Sequence, residues 1–255
     1  MLNKINYKVE GKGETIVLIH GLSDNLEYWL PLANILKDNY TVIRYDLRGH
    51  GLSSSDDTIS IDLLVDDLNN LLNELVIDTC ILVGFSLGGV IAQDYTLKHP
   101  EKVSSLILMS SFSRCTPYIN EKFLELRSAV NSSFYDFFDL ILPMVLCPEV
   151  ISENRSELEI IKEYASENNN IIAIANTITA MLDYDIESEL EHINKPTLII
   201  GGRYDDLIPV SIQEDMHRSI KYSELHILED TKHNLLVGGN IVKISNMIKM
   251  FIEKQ

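Results

Sequence analysis

The chain has 255 residues, 45% of them hydrophobic and 23% charged, the composition of a globular domain rather than a fibrous or disordered one. Its 21 Lys and Arg stand against 38 Asp and Glu, a formal charge of −17. That charge repels nucleic acid and anionic membrane surfaces and argues against both as partners. The three cysteines, Cys80, Cys115 and Cys147, are odd in number and lack metal-ligand spacing, as in a reducing cytoplasm, and Cys80 opens an apolar run as a small buried hydrophobe. The segment MLNKINYKVEGKGE has no signal-peptide core, and no run reaches membrane-span length, so the expected location is cytoplasmic.

In chain order, TIVLIH (15–20) predicts a buried strand and TVIRYD (41–46) another, with helical spacing in EYWLPLANILKDN between them. The stretch 61–75 places Leu64, Leu68, Leu71, Leu72 and Leu75 on one helical face with acids opposite. CILVGF (80–85) predicts a strand, LGGVIAQDYTLKHP (87–100) a helix stopped near Pro100, and VSSLILMSS (103–111) a strand. Strands alternating with helices of this length predict a parallel sheet covered on both faces. The texture then changes. All 12 glycines lie outside residues 90–200, and residues 112–190 offer only helical stretches: EKFLELRSAV, FYDFFDLILPMVL, ELEIIKEYASEN and IIAIANTITAML. The expected organisation is a core of residues 1–111 and 191–255 with a helical cap at 112–190. Strand texture returns at KPTLIIGG (195–202) and SELHILED (223–230), and IVKISNMIKMFIEK predicts a closing helix.

The stretch LVGFSLGG (82–89) sets Ser86 between Gly84 and Gly88 where a strand meets a helix. That is the pattern and context of a nucleophile elbow, whose tight turn leaves no room for side chains two positions either side. With 22 serines and 12 glycines in 255 residues, chance supplies it only about 0.05 times per chain. A serine hydroxyl needs a base to become a nucleophile, and the base an acid to orient it. Of seven histidines, His20, His50 and His99 sit beside turn residues before or close to the elbow, His192 and His217 in helical or connecting regions, and His226 inside a strand. His233, in EDTKHNLL just past the last strand, falls where a parallel sheet delivers loops to the edge that holds Ser86. The loop RYDDLIP supplies Asp205 and Asp206, giving the chain order Ser, Asp, His.

HGLSDN (20–25), DLRGHGLS (46–53), GFSLGG (84–89), GGRYDDLIP (201–209) and TKHN (231–234) together resemble the successive signatures of the α/β-hydrolase superfamily, in its small carboxylesterase and enol-lactonase branch. The resemblance implies an α/β-hydrolase fold, a mostly parallel central sheet with helices on both faces and a helical cap insertion. It favours Asp205 as the acid, three residues before Ile208–Pro209. TKHN departs from relatives that carry glycine before the histidine. The expected chemistry is carboxylic ester hydrolysis: Ser86 as nucleophile, His233 as general base and acid, Asp205 holding the imidazole, and the backbone N–H groups of Leu22 and Leu87 receiving the oxyanion. No metal or organic cofactor is implied.

Several other residues have structural readings. His20 shapes its turn, and Arg48 and His50 belong to a glycine-flanked loop. Tyr28 and Trp29 pack a helix face. Phe134, Tyr135, Phe137 and Phe138 form the cap's own core, with some of them available to line an acyl pocket. Residues 112–190 hold 5 Lys and Arg against 14 Asp and Glu. Such a cap disfavours polyanionic substrates and an acidic carrier protein, and points to a small neutral or apolar ester or lactone. A lactonase, a carbon–carbon bond hydrolase or a perhydrolase would use the same three residues, and a small-molecule sensor that retains them is the alternative of another class. A haloalkane dehalogenase would need aspartate at position 86. The sequence leaves monomer and homodimer equally open.

Overall fold

The computed structural model describes residues 4–54 and 58–255. Seven strands form one sheet: β1 (Tyr7–Gly11), β2 (Thr15–Ile19), β3 (Thr41–Tyr45), β4 (Cys80–Phe85), β5 (Val103–Met109), β6 (Thr197–Gly202) and β7 (Ser223–Leu228). Their order is β1-β3-β2-β4-β5-β6-β7, with β1 antiparallel to β3 and every other pair parallel. This is the α/β-hydrolase sheet that the motifs imply. The strand β1 was not legible in the sequence. It is a half-exposed edge, YKVEG, whose polar residues carry no apolar run.

Successive residues of one strand feed opposite cores, the period-2 rule of a pleated sheet. Ile16 and Leu18 pack with α1 (Leu30–Leu36) and α10 (Asn240–Ile252). Val17 and Ile19 pack with α2 (Ile61–Glu74), α3 (Leu87–Lys98) and α9 (Val210–Ser219). The EYW part of the first helical stretch falls in a short 3-10 turn, Leu26–Trp29, ahead of α1. In α2, Leu64, Leu68, Leu71 and Leu72 are buried as their spacing predicts, and Leu75, just past its end, is half-buried. Asp67 departs from the expected acidic outer face: it is buried and takes both Nε and Nη2 of Arg48 at 2.8 Å, which ties the DLRGHGLS loop to the helix.

Between β5 and β6 the chain builds α4 (Pro117–Ser132), α5 (Phe134–Val145), α6 (Pro148–Glu153), α7 (Arg155–Asn168) and α8 (Ile171–Met181). Four of these contain the four helical stretches read from the sequence. Ser133, in extended backbone, ends α4 and opens α5, its hydroxyl accepting from Asp136 N–H at 3.0 Å. Where the chain leaves and re-enters the sheet layer, two segments run antiparallel: Arg114 bridges Asp185, Cys115 N–H donates to Tyr184 O (2.7 Å), and Ile186 N–H to Ser113 O (2.9 Å). Among the described residues no helix is long and apolar enough to cross a membrane.

Candidate active site

The fully buried strand β4 runs directly into Ser86, whose backbone sits at φ 51° and ψ −117° before α3 begins at Leu87. A non-glycine residue there is strained, and the neighbours hold it in place. Ser86 N–H donates to Met109 O (2.9 Å), and its carbonyl accepts from Gly89 N–H (2.9 Å) and Ser111 Oγ (2.9 Å). A Cβ on Gly84 would lie 2.3 Å from Gly88 O, and one on Gly88 2.0 Å from Ile19 O. Both flanking glycines are therefore demanded by backbone packed against backbone.

The loops after β6 and β7 bring Asp205 and His233 together. Asp205 Oδ1 accepts from the N–H groups of Leu207 (3.0 Å) and Ile208 (2.8 Å), while Oδ2 accepts from His233 Nδ1 at 2.7 Å. A carboxylate engaged as an acceptor at both oxygens makes Nδ1 the protonated nitrogen and leaves Nε2 with its lone pair. Both side chains are buried, and Ser110 Oγ anchors the histidine's carbonyl at 2.8 Å. Asp206, the other acid of the sequence analysis, instead pairs with Lys232 at the surface. Ser86 and His233 border one cavity, and no hydrogen bond joins them among the described residues.

The loop after β2 is pinned by His20, which is fully buried. Its Nδ1 lies 2.8 Å from Gly21 O and its Nε2 accepts from Leu47 N–H at 2.9 Å. A carbonyl only accepts and an N–H only donates, so the tautomer is fixed and the ring is neutral. Burial, aided by the His50 ring and opposed by the Gly21 carbonyl, pushes its pKa down to about 3. The unfolded chain binds that proton near 6.5, so folding stability falls as pH drops below about 6.5. Between pH 7 and about pH 4.5 this one ring is expected to remove about 2–3 kcal/mol, at ~1.4 kcal/mol per pH unit. Urea midpoints should show a shallower acid decline in His20→Gln than in the parent; equal slopes would refute it. Among the described residues the N–H groups of Leu22, on this loop, and Leu87, at the start of α3, have no hydrogen-bond acceptor.

The cavity over Ser86 measures about 250 Å³. Leu22, Phe85 and Leu207 of the sheet layer line it, together with Phe123 of α4 and Phe134, Phe137, Phe138 and Ile141 of α5. Three of the four cap aromatics thus reach it, whereas Tyr135 is exposed. Tyr28 lies behind the site, stacked on Phe85 at 4.8 Å, and Trp29 is buried in the core. Sequence reasoning assigned nothing to Asp24, which also lines the cavity. It belongs to the HGLSDN signature, and only its position one residue past the turn could have drawn notice.

A parallel sheet with a serine elbow at its carboxyl edge defines an α/β hydrolase. Within that class, the profile described as serine aminopeptidase, S33, matches residues 12–238, and the chain belongs to that family. It is 29% identical over 224 residues to the putative carbamate hydrolase RutD of Rhizobium rhizogenes, covering 86% of each chain. It is 25% identical over 239 residues to the pimeloyl-[acyl-carrier protein] methyl ester esterase of Vibrio cholerae, covering 91% of this chain and 92% of that one. The crystal structure of MGS-M2, an alpha/beta hydrolase enzyme from a deep-sea metagenome library, superposes with a TM-score of 0.93 over 100% of this chain and 96% of its own, at 19% identity.

Proposed function

We propose that the protein is a serine hydrolase that cleaves a small carboxylic ester with a short apolar acyl chain through an acyl-enzyme. One observation carries this reading: a strained serine shares a cavity with a histidine whose far nitrogen is fixed by a carboxylate at 2.7 Å. Ser86 Oγ attacks the acyl carbon as His233 Nε2 takes its proton, and the same Nε2–H then protonates the departing alkoxide. Water, activated by Nε2, reverses the sequence and releases the acid. Asp205 supports the imidazolium formed at each stage. The free N–H groups of Leu22 and Leu87 receive the oxyanion, the second of them at the positive end of the α3 dipole. The Oγ-to-Nε2 contact forms as the substrate settles, as is usual for sites without ligand.

A cavity of about 250 Å³ admits about eight water-sized groups, such as methylenes, at ~30 Å³ each. Activity on p-nitrophenyl esters is therefore expected to peak between about four and eight acyl carbons and to fall about tenfold by twelve. The panel should include carbamates and lactones, with a sulfonyl fluoride as active-site label. Labelling of Ser86 that slows greatly in His233→Ala supports the reading, and labelling elsewhere, or at equal rates in both proteins, overturns it.

A further inference from the structure

The cavity over Ser86 does not end at the cap. It meets a second, outer groove of about 780 Å³, and Ser23, Asp24, Ile161 and Ala165 line both. Both spaces are mostly apolar, and they differ in the polar groups they hold. The inner one is walled by Phe and aliphatic side chains around Ser86 and His233; the outer one sets Leu26, Leu52, Ile160 and Tyr164 beside the amides of Asn6, Asn25, Asn168 and Asn169 and the acids Asp24, Glu27 and Asp46, with Lys8 as the cation in its lining.

Two of these acids are already occupied. Glu27 pairs with Lys8 (2.7 Å) and Arg44 (2.9 Å). Asp46 accepts from Asn6 Nδ2 (2.7 Å), Leu26 N–H (2.7 Å) and Leu52 N–H (2.8 Å). Asp24 stands apart: among the described residues its carboxyl has neither a hydrogen bond nor an ion pair. It retains a little exposed surface while protein atoms enclose it, and His233 is near enough to act on it electrostatically. A carboxyl used to hold the fold would be bonded, since an enclosed charge without a partner is costly.

Building on the serine-hydrolase reading, we propose that Asp24 is a specificity residue at the neck between the two spaces, and that the substrate is bipartite. A short apolar acyl chain fills the inner cavity, and the alcohol portion carries a cationic ammonium head that meets Asp24 and extends into the outer groove. Burial raises the Asp24 pKa to about 7, with His233 opposing the rise. The preference for a cation is accordingly strong above that pH and weak below it, where the carboxyl is protonated. The titratable groups that line the two spaces with Asp24 are His233 from the loop after β7, Tyr28 and Glu27 from the 3-10 turn, Lys8 from β1, Asp46 from the loop after β3 and Tyr164 from α7. Both esters meet the same Ser86 and His233, so the ratio of their rates isolates what the alcohol portion meets.

The test pairs hexanoylcholine with its uncharged isostere, 3,3-dimethylbutyl hexanoate. In the parent protein the ratio of their kcat/KM values is expected to be about tenfold higher near pH 8 than near pH 5.5, and in Asp24→Asn to be flat within about twofold. Pentyltrimethylammonium, titrated calorimetrically, should bind about tenfold more tightly at the higher pH and lose that gain in Asp24→Asn. Hydrolysis of both esters with the same ratio in the two proteins, or an equal drop in kcat on both esters in Asp24→Asn, overturns the inference and leaves the hydrolase reading intact. Cation binding that depends on Asp24, with no ester, carbamate or lactone cleaved, supports the cation site and overturns the hydrolase reading instead.

Discussion

Ser86→Ala is expected to lower kcat on a hexanoyl ester by a factor on the order of 10⁴ to 10⁶, with the folded spectrum unchanged. The loss is large because the hydroxyl supplies the covalent route and its neighbours have nothing else to activate. His233→Ala should cost nearly as much, and the double variant no more than either alone, since the two side chains act as one unit. Asp205→Asn tests the third member differently. Its Oδ1 is held by Leu207 and Ile208 N–H, so an amide there must present its NH₂ toward Nδ1 and force the opposite tautomer. A loss of about 10⁴ is expected from that reversal. Retention of even a tenth of the parent activity in Ser86→Ala would end the assignment.

Gly88→Ala is expected to cost about 3 kcal/mol of stability or more, read as a fall in Tm of about 6–12 °C. The new methyl would sit 2.0 Å from Ile19 O and 2.7 Å from His20 O. Neither obstacle is a side chain that can swing away. One is the last residue of β2 and the other opens the Leu22 loop, so relief requires α3 to lift from the sheet or the loop to move. Either movement also shifts Ser86 or the free N–H groups, and activity should fall further than stability alone explains. Gly239→Ala, where nothing lies within 4 Å of the added atom, serves as the control and should leave Tm within about 1–2 °C. Equal melting of the two variants would contradict the packing argument.

Much of this site was legible because its chemistry constrains local sequence. The elbow needs glycine where backbone meets backbone, and the strands β2 to β6 are buried on both faces and so appear as apolar runs, interrupted by Arg44 in β3 and Ser104–Ser105 in β5. Residues held by distant partners were harder. Asp67 lies on the acid-bearing side of an amphipathic helix, and only Arg48, from another loop, makes its burial tolerable. The strand β1 is exposed on an edge, and α9 (VSIQEDMHRS) is short and mostly polar, so neither has a hydrophobic period of useful length. The choice between Asp205 and Asp206 needed a family resemblance, because two adjacent carboxylates differ only in which way the loop turns them. Asp24 left no trace in composition or spacing; its character comes from what fails to bond to it.

The paired segments 113–115 and 184–186 give the helical insertion a narrow, hydrogen-bonded attachment. The strands on either side, β5 and β6, are already neighbours in the sheet, so joining Ser113 to Ile186 directly would close a short loop at little entropic cost. The fold thereby treats its roof as an exchangeable cassette. Evolution can rewrite the walls that measure a substrate, provided the new roof keeps the grip of α5 on the histidine loop, where Asn234 N–H donates to Val145 O (3.0 Å) and Lys232 Nζ to Pro143 O (2.7 Å).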